Sequence, residues 1–183
     1  MLETLTGQTL AHLVANSPRS LARADISFLG LQLCSAVGYL HRHDVLHLDL
    51  KPSNVVCRDG QAVLIDLSIA RRPGRTGPGV GTSQYMSPEQ ARGGRVGPAA
   101  DVWGIGATLF EAATATAPFA RLDEGYAQLM TRAAPIDRTR RLTRGLCDAI
   151  GRCLSPEPKR RPSLDELGDS LEAVLPTPPT SGS

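Results

Sequence analysis

Apolar residues at Ile26, Leu29, Leu33, Val37 and Leu40 recur at helical spacing. They predict a long amphipathic helix over 25–43, with Asp25 as a candidate N-cap. From 100 to 115 the chain is apolar almost all round, which predicts a helix buried at the centre of the domain. Between these two the pattern breaks. Val45 to Asn54 has no single period and contains a proline, so it reads as a loop. Val55-Val56-Cys57 and Ala62 to Ile65 are short strands, and Arg58-Asp59-Gly60 turns between them to make a hairpin. The glycine-rich stretch from Pro73 to Gly81 reads as an extended loop. Shorter helices are expected from Thr9 to Ala15, from Ser87 with Pro88 at the first helical position, from Asp123 to Arg132 and from Thr143 to Leu154. A capping box, Ser163-Leu164-Asp165-Glu166, opens the last helix just after Pro162. The expected fold is mainly α, one helical domain over 1–175 with a small β-hairpin, followed by a disordered Pro/Ser/Thr tail over 176–183.

Composition narrows the classes. With 183 residues and 41% apolar content, the chain fits one domain with one core. Twenty basic against 18 acidic residues give a net charge of +2, which offers no reason to expect a nucleic-acid or membrane surface. No apolar run approaches the ~20 residues that span a bilayer, and the start MLETLTGQTL has neither the basic nor the apolar region of a signal peptide. The four cysteines, at 34, 57, 147 and 153, have no metal-ligand or redox spacing and read as reduced thiols. A cytoplasmic location follows from these readings. Many alanines, arginines, glycines and prolines, with few lysines, point to a GC-rich genome.

The candidate chemistry sits around the hairpin. Asp49 and Asn54 precede it and Asp66 follows its second strand. A hairpin of this length returns the chain to its starting side, so the three side chains are expected to meet. Two carboxylates and an amide oxygen make a hard-oxygen site suited to Mg²⁺. Lys51 adds a positive charge beside them. That set suits a reaction in which a phosphoryl group moves and its charge must be neutralised.

These residues carry a resemblance. His47-Leu48-Asp49-Leu50-Lys51-Pro52-Ser53-Asn54 resembles the catalytic loop of protein kinases, H-R-D-L-x-x-x-N. Asp66-Leu67-Ser68 stands where that family has D-F-G, and Ser87-Pro88-Glu89 where it has A-P-E. Gly81-Thr82 and Tyr85 resemble the motif just before that triplet. Asp101-Val102-Trp103 with Gly106 resembles the start of the family's buried central helix, and Arg161 its partner for the glutamate, here Glu89. The resemblance is to the C-terminal lobe of Hanks-type serine/threonine kinases of bacterial, actinobacterial kind, with the N-terminal lobe absent. It implies ATP and Mg²⁺ as co-substrate and cofactor, a protein substrate with Ser or Thr, and individual roles. Asp49 would orient the acceptor hydroxyl and take its proton. Lys51 would contact the transferred phosphate, and Asn54 and Asp66 would hold the metal. Thr82 would seat the hydroxyl. Val56 would lie under the adenine, with Glu3 and Leu5 at its edge. His47, Glu89, Asp101 and Arg161 would be structural.

The sequence also departs from the family. It contains no G-x-G-x-x-G loop and no V-A-I-K lysine, so this truncated domain is expected to be inactive alone, with cleft surface open to association. Leu48 replaces the arginine that reads activation-loop phosphate, so phosphorylation there is not expected to be the switch. Ser68 replaces a glycine and loses its freedom at positive φ. These departures keep open an alternative, a non-catalytic kinase-like binding module. Two side readings complete the picture. His41, His43 and His47 read as a cationic helix end and a packed loop histidine rather than a metal cluster. Arg71, Arg72 and Arg75 read equally as a contact for an acidic partner or as a solvated loop.

Overall fold

The computed structural model describes residues 6–16, 21–136 and 142–175. Glu3, Leu5 and the tail 176–183 lie outside the described residues. The chain opens with strand β1 (Gln8–Thr9), helix α1 (Leu10–Asn16) and the long helix α2 (Arg23–Arg42). Ala22, not Asp25, holds the N-cap position of α2, and it offers no side-chain cap. Asp25 lies in the first turn instead, where a negative charge still favours the helix dipole. The hairpin forms where the pattern placed it, as β2 (Val55–Arg58) and β3 (Gln61–Leu64). It is not alone, because β1 pairs antiparallel with β2, Thr9 against Val56, to make a three-stranded sheet. Thr9 is thus strand rather than helix. Gln32 on α2 fastens the hairpin turn, accepting from Ala62 N–H and donating to the Gly60 carbonyl.

The glycine-rich stretch is not wholly loop. It contains β4 (Gly74–Arg75), which pairs with β5 (Arg95–Val96) beyond helix α3 (Pro88–Arg92). Ser87 caps α3 in a full capping box with Gln90. Helix α4 (Pro98–Thr114) is buried along almost its whole length, as its all-round apolar pattern predicts. It packs on α2 and on α5 (Arg144–Cys153), while α6 (Leu164–Glu172) packs on α2 and α5. Close approach requires glycine at two points on α4, Gly104 and Gly106. A Cβ on Gly104 would stand 2.7 Å from the Cβ of Leu50, in the loop before the hairpin.

The helix expected over 123–132 is absent. Gly125 takes φ 80° and Tyr126 is extended, and only a single 3₁₀ turn, Ala127–Leu129, follows. What fixes that stretch is non-local: buried Gln128 donates to the carbonyls of Ser83 and Met86, both at 2.9 Å. None of the four cysteines is joined in a disulfide. Burial, with the nearby Asp165 charge, pushes the Cys34 thiol up to about 12, which keeps it protonated and unreactive. No described helix is long and apolar enough to cross a membrane.

Candidate active site

The loop between α2 and the hairpin is held from below by α4. Asp101, in the first turn of α4 and 1% exposed, accepts the backbone N–H groups of His47 and Leu48 at 2.9 and 2.8 Å. Its Oδ2 also receives His41 Nε2 at 2.8 Å. Leu48 stands at φ 65°, an uncommon conformation for a branched side chain. The bond to Asp101 and the burial of Leu48 with Leu46, Val96 and Ala100 hold it there. His47 is fully buried, and its ring Nε2 lies 3.2 Å from the Ile65 carbonyl. It packs beneath the loop. His41 binds Asp101, and no group of three His, Cys, Asp or Glu side chains able to hold a metal occurs among the described residues.

Above this base, Asp49 is surrounded by donors. Lys51 Nζ lies 2.7 Å from its Oδ2, and Asn54 Nδ2 reaches the same oxygen at 3.0 Å. Thr82 gives its Oδ1 both a hydroxyl bond of 2.7 Å and a backbone N–H bond of 3.1 Å. Lys51 Nζ also donates to Thr82 Oγ1 at 2.8 Å. Burial opposes the Asp49 charge. The bonds from Lys51, Thr82 and Asn54, together with the Lys51 charge, outweigh it, so the carboxyl lies below the usual range.

Asp66 ends the hairpin. Ile65 N–H donates to the Asn54 carbonyl at 2.9 Å, which sets Asp66 one residue beyond Asn54's backbone partner. Asp66 is exposed and stands at φ 66°. Bonds from Ser68 lower its pKa, and the charges of Lys51 and His47 add to the effect. Asn54 spends its amide N–H groups on the Asp49 carbonyl and carboxylate, so its amide oxygen is the atom it could offer to a cation. That oxygen and the two carboxylates are the hard ligands that Mg²⁺ accepts, so the residues present fit the ion. Val56 is 8% exposed, on β2 between Thr9 and Val63.

Glu89 and Arg161, 72 residues apart in sequence, meet as a fork: Nη1 to Oε1 at 2.6 Å and Nη2 to Oε2 at 2.8 Å. Arg161 spends its remaining donors on the carbonyls of Ser155, Ala99 and Pro156, and its guanidinium lies 5.0 Å from the centre of the Trp103 ring. The sequence reading missed Gln90. This residue, 1% exposed, donates to the carbonyls of Leu48 and Val80 and so ties α3 to the loop of Asp49 and the segment of Thr82. Its place as the third residue after Ser87 in the capping box was the available signal.

A carboxylate gripped by a lysine, a hydroxyl and an amide, with a second carboxylate just past it, can orient a hydroxyl and a divalent ion for group transfer. Comparison with known proteins agrees with that class. The family description "Protein kinase domain" matches residues 1–170. The chain belongs to the protein kinase domain family. It is 35% identical over 127 residues to the serine/threonine-protein kinase PknB of Mycolicibacterium smegmatis, covering 65% of this chain and 20% of that protein. A probable serine/threonine-protein kinase of Streptomyces coelicolor is 34% identical, with 65% and 19% covered. An inactive serine/threonine-protein kinase of mouse, PLK5, is 33% identical over 174 residues, covering 91% of this chain and 29% of that protein. The chain thus spans less than a third of the length of these relatives.

Proposed function

We propose that these residues form the catalytic-loop side of a protein serine/threonine kinase, which transfers the terminal phosphoryl group of ATP to a protein hydroxyl. The observation that carries the reading is the setting of Asp49. Its carboxylate is ionised, faces the Thr82 hydroxyl and Lys51 ammonium, and is fixed by Asn54. Asp49 orients the acceptor Ser or Thr hydroxyl and takes its proton as the new bond forms. Lys51 offsets negative charge on the transferred group, and Thr82 seats the acceptor. Asn54 and Asp66 would hold Mg²⁺, which supplies charge neutralisation for the phosphates when bound. Val56 would form the floor for the base. Glu89, Arg161, Asp101 and His47 position the loop. Protein substrates and a cytoplasmic, actinobacterial setting complete the proposal.

Phosphoryl transfer rests mostly on positioning and charge. The 183 residues include no glycine-rich phosphate loop and no strand lysine, so a polypeptide of these residues alone is expected to bind ATP weakly and turn over slowly. The test is transfer of labelled phosphate to a generic protein substrate, with an added complementary kinase lobe as one arm. Asp49→Asn should lower any rate by about 10²–10⁴, and transfer that survives this change unaltered would sink the reading. A second reading, a kinase-like binding module, draws on Leu48 and Ser68 and on the likeness to the inactive mouse relative. It gains if Mg²⁺-dependent nucleotide binding is also missing when the complementary lobe is present.

A further inference from the structure

The stretch from Leu67 to Ala100 holds five arginines and one acidic residue, +4 in a chain whose total is +2. The one acid, Glu89, has both oxygens bound by Arg161. The register of the small sheet sets Arg75 of β4 directly opposite Arg95 of β5. Alternate strand residues face opposite sides. Val96, next to Arg95, is buried against Leu46, Leu48 and Ala100, so Arg75 and Arg95 share the outward face. Side chains opposite each other in an antiparallel pair stand about 4.5–5.5 Å apart at Cβ, and like charges there repel. Arg71 adds a third charge at this strand, donating to the Arg75 carbonyl at 3.2 Å and to Thr76 Oγ1 at 3.3 Å. Arg72 follows it, and Arg92 ends α3, which packs on β5. All five are exposed.

Two other surface arginines are each matched by an acid. Arg144 pairs with Asp148 at 3.7 Å and Arg160 with Glu157 at 2.8 Å. None of the five arginines here forms an ion pair with a described residue. A solvated face normally intersperses the two signs, and this one does not. The arginines are also continuous with the site. Arg71 and Leu46 exchange backbone bonds of 2.7 and 3.0 Å three residues before Asp49, and the chain leads from Arg75, the end of β4, to Thr82 seven residues on. A single-stranded nucleic acid would need aromatic platforms for its bases. The one aromatic residue in the stretch, Tyr85, has its hydroxyl bound to Glu111.

We propose that the outward face of β4–β5, with Arg71, Arg72 and Arg92 around it, docks a carboxylate-rich segment of the protein substrate beside the acceptor hydroxyl. The clustered positive charge complements a run of carboxylates, and the bound segment relieves the repulsion between Arg75 and Arg95. The substrate role rests on the phosphoryl-transfer reading of Asp49, but the docking is measured without it. A fluorescent peptide with one serine flanked by glutamates is titrated with the 183-residue chain, against the same peptide with glutamines. The acidic peptide should bind about tenfold more tightly, and about 0.5 M NaCl should erase the difference. Arg75→Glu with Arg95→Glu should abolish the preference, whereas Arg75→Lys with Arg95→Lys should keep most of it and exclude a folding defect. Equal binding of the two peptides, or a preference that survives charge reversal, would overturn the proposal. So would an oligothymidine that displaces the acidic peptide at lower concentration through the same arginines. Because binding is the readout, a chain that transfers no phosphate still tests the docking face, and turnover lost in Asp49→Asn separately tests the kinase reading.

Discussion

Asp49 keeps its charge although burial works against it, because Lys51, Thr82 and Asn54 all donate to it. The sign of the consequence is fixed. A carboxyl whose pKa is lowered on folding adds stability above its unfolded value, about 3.9, and loses that contribution as pH falls through the folded value. Asn at this position cannot titrate. The stability difference between the parent and Asp49→Asn should therefore hold from neutral pH to about 5 and close below about 4. Urea melts at stepped pH read it directly, and a difference that grows in acid would show the opposite sign. Asp66 contrasts with Asp49. It is exposed at positive φ, and its nearest donors are the hydroxyl and backbone N–H of Ser68. It is poised for a ligand from solvent rather than for a partner in the fold.

At the level of elements, two contacts carry the placement of the loop. The Glu89–Arg161 fork joins the start of α3 to the approach of α6, and the Arg161 side chain is fully buried while Glu89 is 15% exposed. Arg161→Ala leaves the Glu89 carboxylate without its partner and should cost about 3–5 kcal/mol. At about 2–4 °C per kcal/mol for a chain of this size, a thermal melt resolves it easily. Arg161→Lys keeps the charge but loses the fork and most of the carbonyl bonds, so it should recover little. The second contact is Gly104 against Leu50. Gly104→Ala crowds the Leu50 Cβ and should cost about 1–3 kcal/mol. Combined with Leu50→Ala, its effect should fall well short of the sum, since both changes act on one contact. Simple additivity in a double-mutant cycle would refute the crowding.

What could be read from the sequence divides along the same line. Helices α2 and α4 and the β2–β3 hairpin were legible because local apolar spacing and turn residues specify them. So was the group of Asp49, Lys51 and Asn54, which one short loop carries. Strand β1, the β4–β5 pair and the 3₁₀ turn at Ala127–Leu129 were not legible. Each has two or three residues, and each is fixed by partners far along the chain. Gly125 and Tyr126 broke a helical pattern for the same reason: bonds from Gln128 to the Ser83 and Met86 carbonyls hold that stretch more firmly than its weak helical propensity would. The grip of Asp101 on the loop was not legible, because 53 residues separate it from Leu48.

Taken whole, the molecule holds the segment from Ser68 to Met86 by bonds to its own backbone and side chains. Arg71 and Leu46 exchange backbone bonds at its start, Thr76 N–H binds the Gly94 carbonyl, and Gly79 N–H binds that of Gln90. Thr82 rests on Asp49, and Gln128 closes the far end. Leu48 fills the position where the family's arginine would meet a phosphate. It is 3% exposed in a small apolar cluster that includes Val96 of β5, so packing does the work that a charge pair would do. The amides of Thr76, Gly79, Tyr85 and Met86 all donate to backbone carbonyls. In the unphosphorylated chain they should exchange slowly with solvent, and Thr76→Glu should leave their protection unchanged. Leu48→Arg places a charge inside the apolar cluster of Leu46, Val96 and Ala100, so it should loosen β4–β5 and speed exchange at the same amides. Hydrogen exchange followed by mass spectrometry separates the outcomes. Slow exchange that appears only with Thr76→Glu would show that a negative charge is needed after all, and that packing around Leu48 does not suffice.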